Sequence, residues 1–374
     1  MSIKTRFLIL SDTHGLRFQE DRRPHELVDV AIHCGDITDD SKLHDFKQTI
    51  ELLKEIDAPL KIVIAGNHDF SLDDLAFEQK IVEASRLAQE DLEDSIKTEY
   101  GDYGDARRLF DEHEDTWFLE EGSHQFALAN GALLRVYASP YTPTTGNSSD
   151  WGFQYSGAHD FAIEKGTDIV VTHGPPHGIM DMTTERQRIG CPRLFAAVAR
   201  AQPRLHCFGH VHSSWGAKLV AWRPTISDKP SHFSDVDNDK SVVIESLARL
   251  KGAKFESAED KKSRQDAAER YRLQRCCRTS HCDGDDRCLG PRETLFVNAA
   301  VMGPDEELSQ YPWLVDIELE SCQGKAFDGV DSDDGSGATL DEKGGKTHKR
   351  KGGLPLPEEE ERKGKKSCPY GAIP

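Results

Sequence analysis

One pattern recurs along this chain: an apolar, β-branched run that stops at a residue with a nitrogen or oxygen donor. RFLILSDTHG stops at Asp12 and His14, AIHCGDITDD at Asp36, and KIVIAGNHD at Asn67 and His68. DIVVTHG stops at His173, and RLHCFGHVH at His210 and His212. Short apolar runs bounded by glycine and polar residues read as buried strands. A strand that only filled a core would need no donor at its end. In an α/β sheet, loops at the carboxyl ends of strands gather on one edge, where ligands bind. These strand ends would therefore converge on one crevice.

The residue types suit divalent metals, because carboxylate, imidazole and amide oxygen serve Mn, Fe and Zn alike. Asp12 and His14 are two residues apart, as are His210 and His212, so in extended chain each pair faces one side. Asp36 has two carboxylate oxygens and can bridge two ions. Gly35, Gly66 and Gly209 permit sharp turns and close backbone approach. Taken singly, each Asp or His is more often a turn former, a cap or a satisfied polar residue. Their coincidence at strand ends points instead to a shared metal site. His33, inside a strand, reads as a hydrogen-bonded core residue. His177, in THGPPHG, could line the pocket or stand exposed.

Around these runs, Leu43, Phe46, Ile50, Leu53 and Ile56 recur at helical spacing and predict a helix over 42–56. Residues 71–116 are charged, with scattered Leu, Ile and Phe, and read as surface helices in an insertion. QFALAN and LLRVYAS flank Asn130-Gly131 and predict a hairpin. Residues 223–292 read as a second polar insertion, with an exposed helix over 258–275. Strands return at TLFVNAAV and WLVDIEL. The chain from 324 to 374 is rich in Gly, Asp and Lys and is expected to be a disordered tail. The rhythm predicts an α/β fold with one domain over 1–323.

Of the 374 residues, 37% are hydrophobic and 30% charged, which fits a core with solvated insertions. The formal net charge of −19 argues against long nucleic acids as partners, since phosphate backbones are held by clustered Lys and Arg. It leaves room for a small phosphorylated substrate if metals supply the positive field. No apolar run approaches the ~20 residues needed to span a bilayer, and no signal peptide is evident. Nine scattered cysteines suggest a reducing compartment, most simply the cytoplasm. The runs KTHKRKGG and RKGKK could address the chain to the nucleus, although a solvated tail accounts for them as well. CCRTSHCDGDDRC carries Cys276, Cys277, Cys282, Cys288 and His281 and could hold zinc. Its spacing is not a repeated C-x2-C pair, so it reads as exposed or fortuitously clustered thiols.

DTHG, GDITDD, GNHD, THGPP and GHVH, in this order, resemble the five blocks of the calcineurin-like metallophosphoesterase superfamily. YASPYTPTTGNSSDWGFQY, THGPPHGIMD, PRLHCFGHVH and VNAAV resemble its metallophosphoesterase-domain-containing branch. The resemblance implies a four-layer fold: two mixed β-sheets packed as a sandwich and flanked by helices. It implies that Asp12, His14, Asp36 and His212 bind one metal, and that Asp36, Asn67, His173 and His210 bind a second. His68 would sit beside the scissile bond as acid or transition-state stabiliser. Asp39, the second acid of the family's GDxxD pattern, would orient it. Asn67, His68 and His177 would contact substrate, with Trp151, Tyr155 and Asn147 near the crevice. The chain lacks the Arg-Gly that follows GDxxD in Ser/Thr phosphoprotein phosphatases and reads GNHD where they read GNHE. The implied activity is hydrolysis of a phosphodiester or small phosphomonoester. Two ions roughly 3.5–4 Å apart would clamp phosphate oxygens and acidify a bridging water. No Walker-type phosphate loop is present. The rival readings are a weakly active metal-binding scaffold or regulatory protein, and a phosphoprotein phosphatase or nuclease.

Overall fold

The first three apolar runs become neighbouring parallel strands. β1 (Ser2–Leu10), β2 (Val30–His33), β3 (Leu60–Val63) and β4 (Thr116–Phe118) lie side by side in one sheet. The chain then crosses to a second sheet with the antiparallel pair β5 (Gly122–Ala127) and β6 (Leu133–Ser139). β7 (Thr142–Pro143) and β8 (Gln154–Tyr155) form a small ribbon of their own. β9 (Ile169–Thr172), β10 (Leu205–Phe208), β11 (Gly216–Trp222) and β12 (Val236–Ser246) extend the second sheet. β13 (Cys277–Ser280) returns to the edge of the first sheet, β14 (Glu293–Asn298) to the second, and β15 (Trp313–Glu320) to the first. The final orders are β13-β15-β1-β2-β3-β4 and β12-β11-β14-β10-β9-β6-β5. This computed structural model describes residues 1–88, 93–144, 151–252, 255–285 and 287–322.

The period-2 alternation of strands decides which residues meet. Phe7, Ile9, Ile32, Ile62, Val315 and Ile317 of the first sheet face Val136, Ile169, Val171, Leu205, Leu219 and Val297 of the second in one core. The opposite face of the first sheet offers Leu8, Leu10, Ala31, Val63 and Leu314 to two helices. These are α1 (Leu43–Lys54), through Phe46, Ile50 and Leu53, and α4 (Asp105–Asp111), through Ala106 and Phe110. The outer face of the second sheet offers Tyr137, Val170, Phe208, Val220 and Phe296 to α5 (Pro192–Ala201), through Leu194, Phe195 and Val198. The result is two mixed sheets packed face to face with helices outside. Each fully buried Leu, Ile or Phe contributes about 1.5–3 kcal/mol.

The helix expected over 42–56 forms as α1, its stripe on the sheet. α5 starts with Pro192 in its first turn, where a missing N–H costs nothing, and Cys191 Sγ accepts from Leu194 N. The charged stretch 71–116 holds a 3₁₀ turn (Phe70–Leu72), α2 (Asp74–Ala88), α3 (Glu93–Tyr100) and α4 before it enters the sheet at Thr116. The stretch 223–292 holds α6 (Leu247–Lys251) and α7 (Ala258–Gln274), and it also supplies edge strands β12 and β13. The predicted hairpin forms, but Leu128–Ala132 loop out between Ala127 and Leu133, with Leu128 N donating to Ala132 O at 2.9 Å. The tail expected from 324 onward and Asn147 lie outside the described residues. Cys276, Cys277 and Cys282 are buried rather than exposed. Cys276 and Cys277, successive residues, belong to different core clusters on opposite faces of the first sheet, so they cannot share an ion.

Candidate metal centre

All the strands whose ends carry donors run the same way within their sheets. β1, β2 and β3 are parallel, as are β9 and β10. The segment after β14 ties the two sets together: Ala299 N donates to Phe208 O at 2.8 Å and Val301 N to Ser11 O at 2.9 Å. The loops after β1 and β2 are zipped to each other, with Asp12 N donating to Gly35 O at 2.9 Å and His14 N to Asp36 O at 3.1 Å.

Four of the donor-bearing residues leave their strands with left-handed backbone: Asp12 (φ 58°), His14 (46°), Asp36 (51°) and His210 (66°). For residues other than glycine this conformation costs of order 1–3 kcal/mol each and marks sites where surrounding structure dictates the side chain's direction. Two glycines are required here by proximity rather than by φ. A Cβ on Gly66 would overlap the backbone nitrogen and Oδ1 of Asp36, and one on Gly209 would overlap Asp12 Oδ2 and Ser11 Oγ.

Side-chain donors then meet in sets. Asp12, His14 and His212 each bring one atom within 4.8 Å of the others, and so do Asp36, His173 and His210. Asp36 stands between the sets. Its Oδ1 accepts from His68 N at 2.9 Å, while Oδ2 lies 3.2 Å from His173 Nε2 and 3.9 Å from His14 Nε2. Asn67 joins the second set, with Oδ1 3.0 Å from His173 Nε2. His212 Nε2 lies 3.2 Å from Asp12 Oδ1. His173 Nδ1 lies 2.9 Å from Cys34 O; a carbonyl only accepts, so Nδ1 carries the proton and Nε2 faces the centre.

This donor set fits divalent cations. Both ring nitrogens of His14 are buried without a hydrogen-bond partner, an expense that a cation on that ring would remove. Burial opposes charge on Asp12, yet the His212 imidazole outweighs it and holds the carboxyl down at about 2. Burial likewise works against Asp36, but the His173 imidazole keeps its carboxyl well below the usual range. His173 answers in kind: against its burial, the Asp36 carboxylate raises it to about 9. Burial pushes His210 down to about 4 and lowers His14, leaving neutral imidazoles with a lone pair to offer.

A family model described as Calcineurin-like phosphoesterase matches residues 5–214. The chain belongs to the calcineurin-like phosphoesterase family. Its curated relatives include Metallophosphoesterase domain-containing protein 1 of Homo sapiens, 33% identical over 229 residues, which are 57% of this chain and 62% of that protein. Probable rhamnogalacturonate lyase C of Emericella nidulans is 31% identical over 222 residues, 58% of this chain but 18% of that protein. The chain thus matches less than two thirds of these relatives' length. Among solved structures, phosphopantetheinyl hydrolase from Mycobacterium tuberculosis superposes with a TM-score of 0.34 at 13% identity, covering 60% of this chain and 86% of that one.

Other residues of the family's motif blocks divide in their placement. His68 packs edge-on against His14, with ring centroids 4.7 Å apart. Its Nδ1 is bonded to the backbone carbonyl of Asp39, while the exposed Asp39 carboxylate lies 3.9 Å from that nitrogen and 3.4 Å from His14 Nδ1. Trp151 lies over the other face of His68, centroids 4.0 Å apart. His177 contacts Gly190 O at 3.2 Å, Asp181 Oδ2 at 3.6 Å and the His232 ring, not Asn67 or His68. Tyr155 donates its hydroxyl to Cys191 Sγ at 2.9 Å. His33 is the bonded core residue expected, with Nε2 2.9 Å from Thr13 Oγ1. Sequence reasoning missed Asp69, the last residue of GNHD. It is fully buried and accepts from Ile37 N, Thr38 N, Thr38 Oγ1 and Gly66 N. Its position directly after two donor residues was the available signal.

Proposed function

We propose that this chain is a dinuclear-metal-dependent phosphoesterase acting on a phosphodiester or small phosphomonoester. The supporting observation is the Asp36 carboxylate, whose Oδ2 faces both His14 and His173 and so can serve two ions at once. Asp12, His14, Asp36 and His212 would hold one ion; Asp36, Asn67, His173 and His210 the other. Ions of the Mn, Fe or Zn class supply Lewis acidity toward phosphate oxygens and a water acidified toward neutral pH.

The chain's own residues do the rest. Asn67 and His68 follow each other on one turn, so a phosphate beside Asn67 is within reach of the imidazole. The Asp39 carbonyl accepts from His68 Nδ1–H, which leaves Nε2 unprotonated in the neutral ring; only the imidazolium, protonated at both nitrogens, has an Nε2 proton to give to a leaving oxygen. Trp151 covers one face of that imidazole and limits its rotation. A leaving alkoxide, strongly basic, gains most from such an acid.

Hydrolysis of bis-p-nitrophenyl phosphate and of p-nitrophenyl phosphate, each with Mn and with chelator, tests this reading. Turnover that needs metal, with the diester favoured, supports a phosphodiesterase. A folded, metal-loaded sample that turns over neither ester points to the scaffold reading instead.

A further inference from the structure

Asp39 stands beside two imidazoles that ask different things of it. The His14 and His68 rings meet nearly at right angles, with centroids 4.7 Å apart and planes 84° to each other. Both turn Nδ1 toward Asp39. His14 Nε2 faces the other way, 3.9 Å from the Asp36 carboxylate, so it is the nitrogen that an ion at the centre would take. A neutral imidazole bound through Nε2 carries its proton on Nδ1. In His14 that nitrogen is buried and has no hydrogen-bond partner among the described residues. Asp39 Oδ1 stands 3.4 Å from it.

His68 is already served. Its Nδ1–H donates to the backbone carbonyl of Asp39, while Asp39 Oδ1 lies 3.9 Å away, beyond hydrogen-bond reach. Main chain and side chain of one residue therefore address different rings. The main chain is held in place here. Asp69 accepts from Ile37 N at 3.1 Å and Thr38 N at 2.9 Å, and Thr38 Oγ1 accepts from Ser41 N at 2.9 Å. The Asp39 side chain, 73% exposed, has room to close on His14.

We propose that the Asp39 carboxylate is a positioning residue for His14, accepting from its Nδ1–H and turning Nε2 to the ion, and not the partner of His68. The proposal rests on the metal centre of the phosphoesterase reading. It moves the second acid of GDITD from the proton donor to the metal. A carboxylate behind a metal-bound imidazole fixes the tautomer and strengthens the ligating nitrogen. His173 has the matching arrangement in the other set, with Nδ1 2.9 Å from Cys34 O. His14, Asp39 and His68 also bring one atom each within 4.8 Å of one another. An ion held there would have to displace the His68 proton from the Asp39 carbonyl, which makes that triad the weaker reading.

Titrating the full chain, stripped of metal by chelator, with Co(II) and following its visible absorption reads ion binding without substrate. Asp39→Ala should weaken one of two bound ions roughly 10–100-fold and shift its bands. Asp39→Glu, which restores a carboxylate at an exposed position, should recover most of the loss and so exclude misfolding as its cause. The loss should persist in a His68→Ala background and vanish in a His14→Ala background, where the partner is gone. In turnover, Asp39→Ala should keep the wild-type ratio between alkyl and p-nitrophenyl leaving groups, because the main-chain bond to His68 survives the substitution. Wild-type Co(II) affinity in Asp39→Ala, or a loss that vanishes with His68 instead of His14, overturns the proposal and leaves the metal centre standing. A leaving-group ratio that moves to that of His68→Ala overturns it too. Three ions per wild-type chain, falling to two in Asp39→Ala, would make Asp39 a ligand and overturn its positioning role. A wild-type chain that binds no Co(II) removes the phosphoesterase reading and the proposal together. A loss of affinity in a chain that hydrolyses no ester upholds the proposal and removes only the enzyme reading.

Discussion

Asp69 holds Thr38 twice: its Oδ1 accepts from Thr38 N at 2.9 Å and from Thr38 Oγ1 at 2.8 Å. Its Oδ2 accepts from Gly66 N at 2.8 Å and Ile37 N at 3.1 Å. One buried carboxylate therefore fastens the loop carrying Asp36 to the loop carrying Asn67 and His68. Burial and the Asp36 charge raise its pKa to about 6, while every group facing it is a donor, so the charged form is the one the loops bind. Asp69→Ala should cost about 2–4 kcal/mol, because buried N–H groups lose their acceptor. Asp69→Asn should cost less, keeping one oxygen. Urea unfolding reads both, and a wild-type midpoint for the alanine variant would show that the loops hold without this residue.

Asp36→Asn should weaken metal binding at both sets of donors. The loss should exceed the roughly 10–100-fold seen when an outer partner is removed. Metal analysis after dialysis checks this, with Asp12→Asn, which touches one set, as the comparison. Two full ions per chain in the Asp36 variant would refute the shared-carboxylate assignment.

His68→Ala should retain its metal and lose turnover by roughly 10²–10⁴-fold, the usual worth of a positioned acid. The loss should shrink for esters whose leaving group needs no proton, such as p-nitrophenol. An equal loss for p-nitrophenyl and alkyl leaving groups would assign His68 to binding and not to proton transfer.

Far from the crevice, Asp316 on β15 is fully buried among cations from both neighbouring strands. Arg6 Nε lies at 2.7 Å, Lys4 Nζ at 3.1 Å and Arg278 Nη2 at 3.2 Å. Burial alone would raise its pKa, but Arg6 and Lys4 prevail and hold it at about 2. A depressed carboxyl stabilises the fold fully above its unfolded pKa, and that contribution drains away as pH falls through the folded value. About 2 kcal/mol should therefore be lost between pH ~4 and ~2. Asp316→Asn should be less stable at neutral pH and should lose part of this acid dependence, read by urea unfolding at several pH values.

The centre was legible because its residues sit where buried apolar strands end, and both features are written in short stretches of chain. α1 was legible for a similar reason, since one face of Leu and Phe implies one sheet to cover. β12 was not. Its interior, DNDKSVV, is an exposed edge with no apolar alternation, so it reads as a solvated insertion. β13 hid behind its cysteines, whose burial depends on a neighbour, β15, that arrives much later in sequence. Asp69 hid because its work is done through backbone amides, which leave no side-chain signature. His177 looked like a pocket residue by proximity to His173 in sequence, but the two prolines between them turn the chain toward Asp181 and His232.

The pairing of Ser2 with Glu320, and the bond from Ser321 N to Met1 O at 3.0 Å, place both extremities of the folded body side by side. Asp12 stands at the far end of β1, about 30 Å away by strand length. The Ser2–Glu320 pair thus lies at the end of β1 opposite the candidate metal centre. A donor and an acceptor dye placed at Ser2 and Glu320, side by side in the folded sheet, would separate on unfolding and so report it from a point remote from the candidate metal centre.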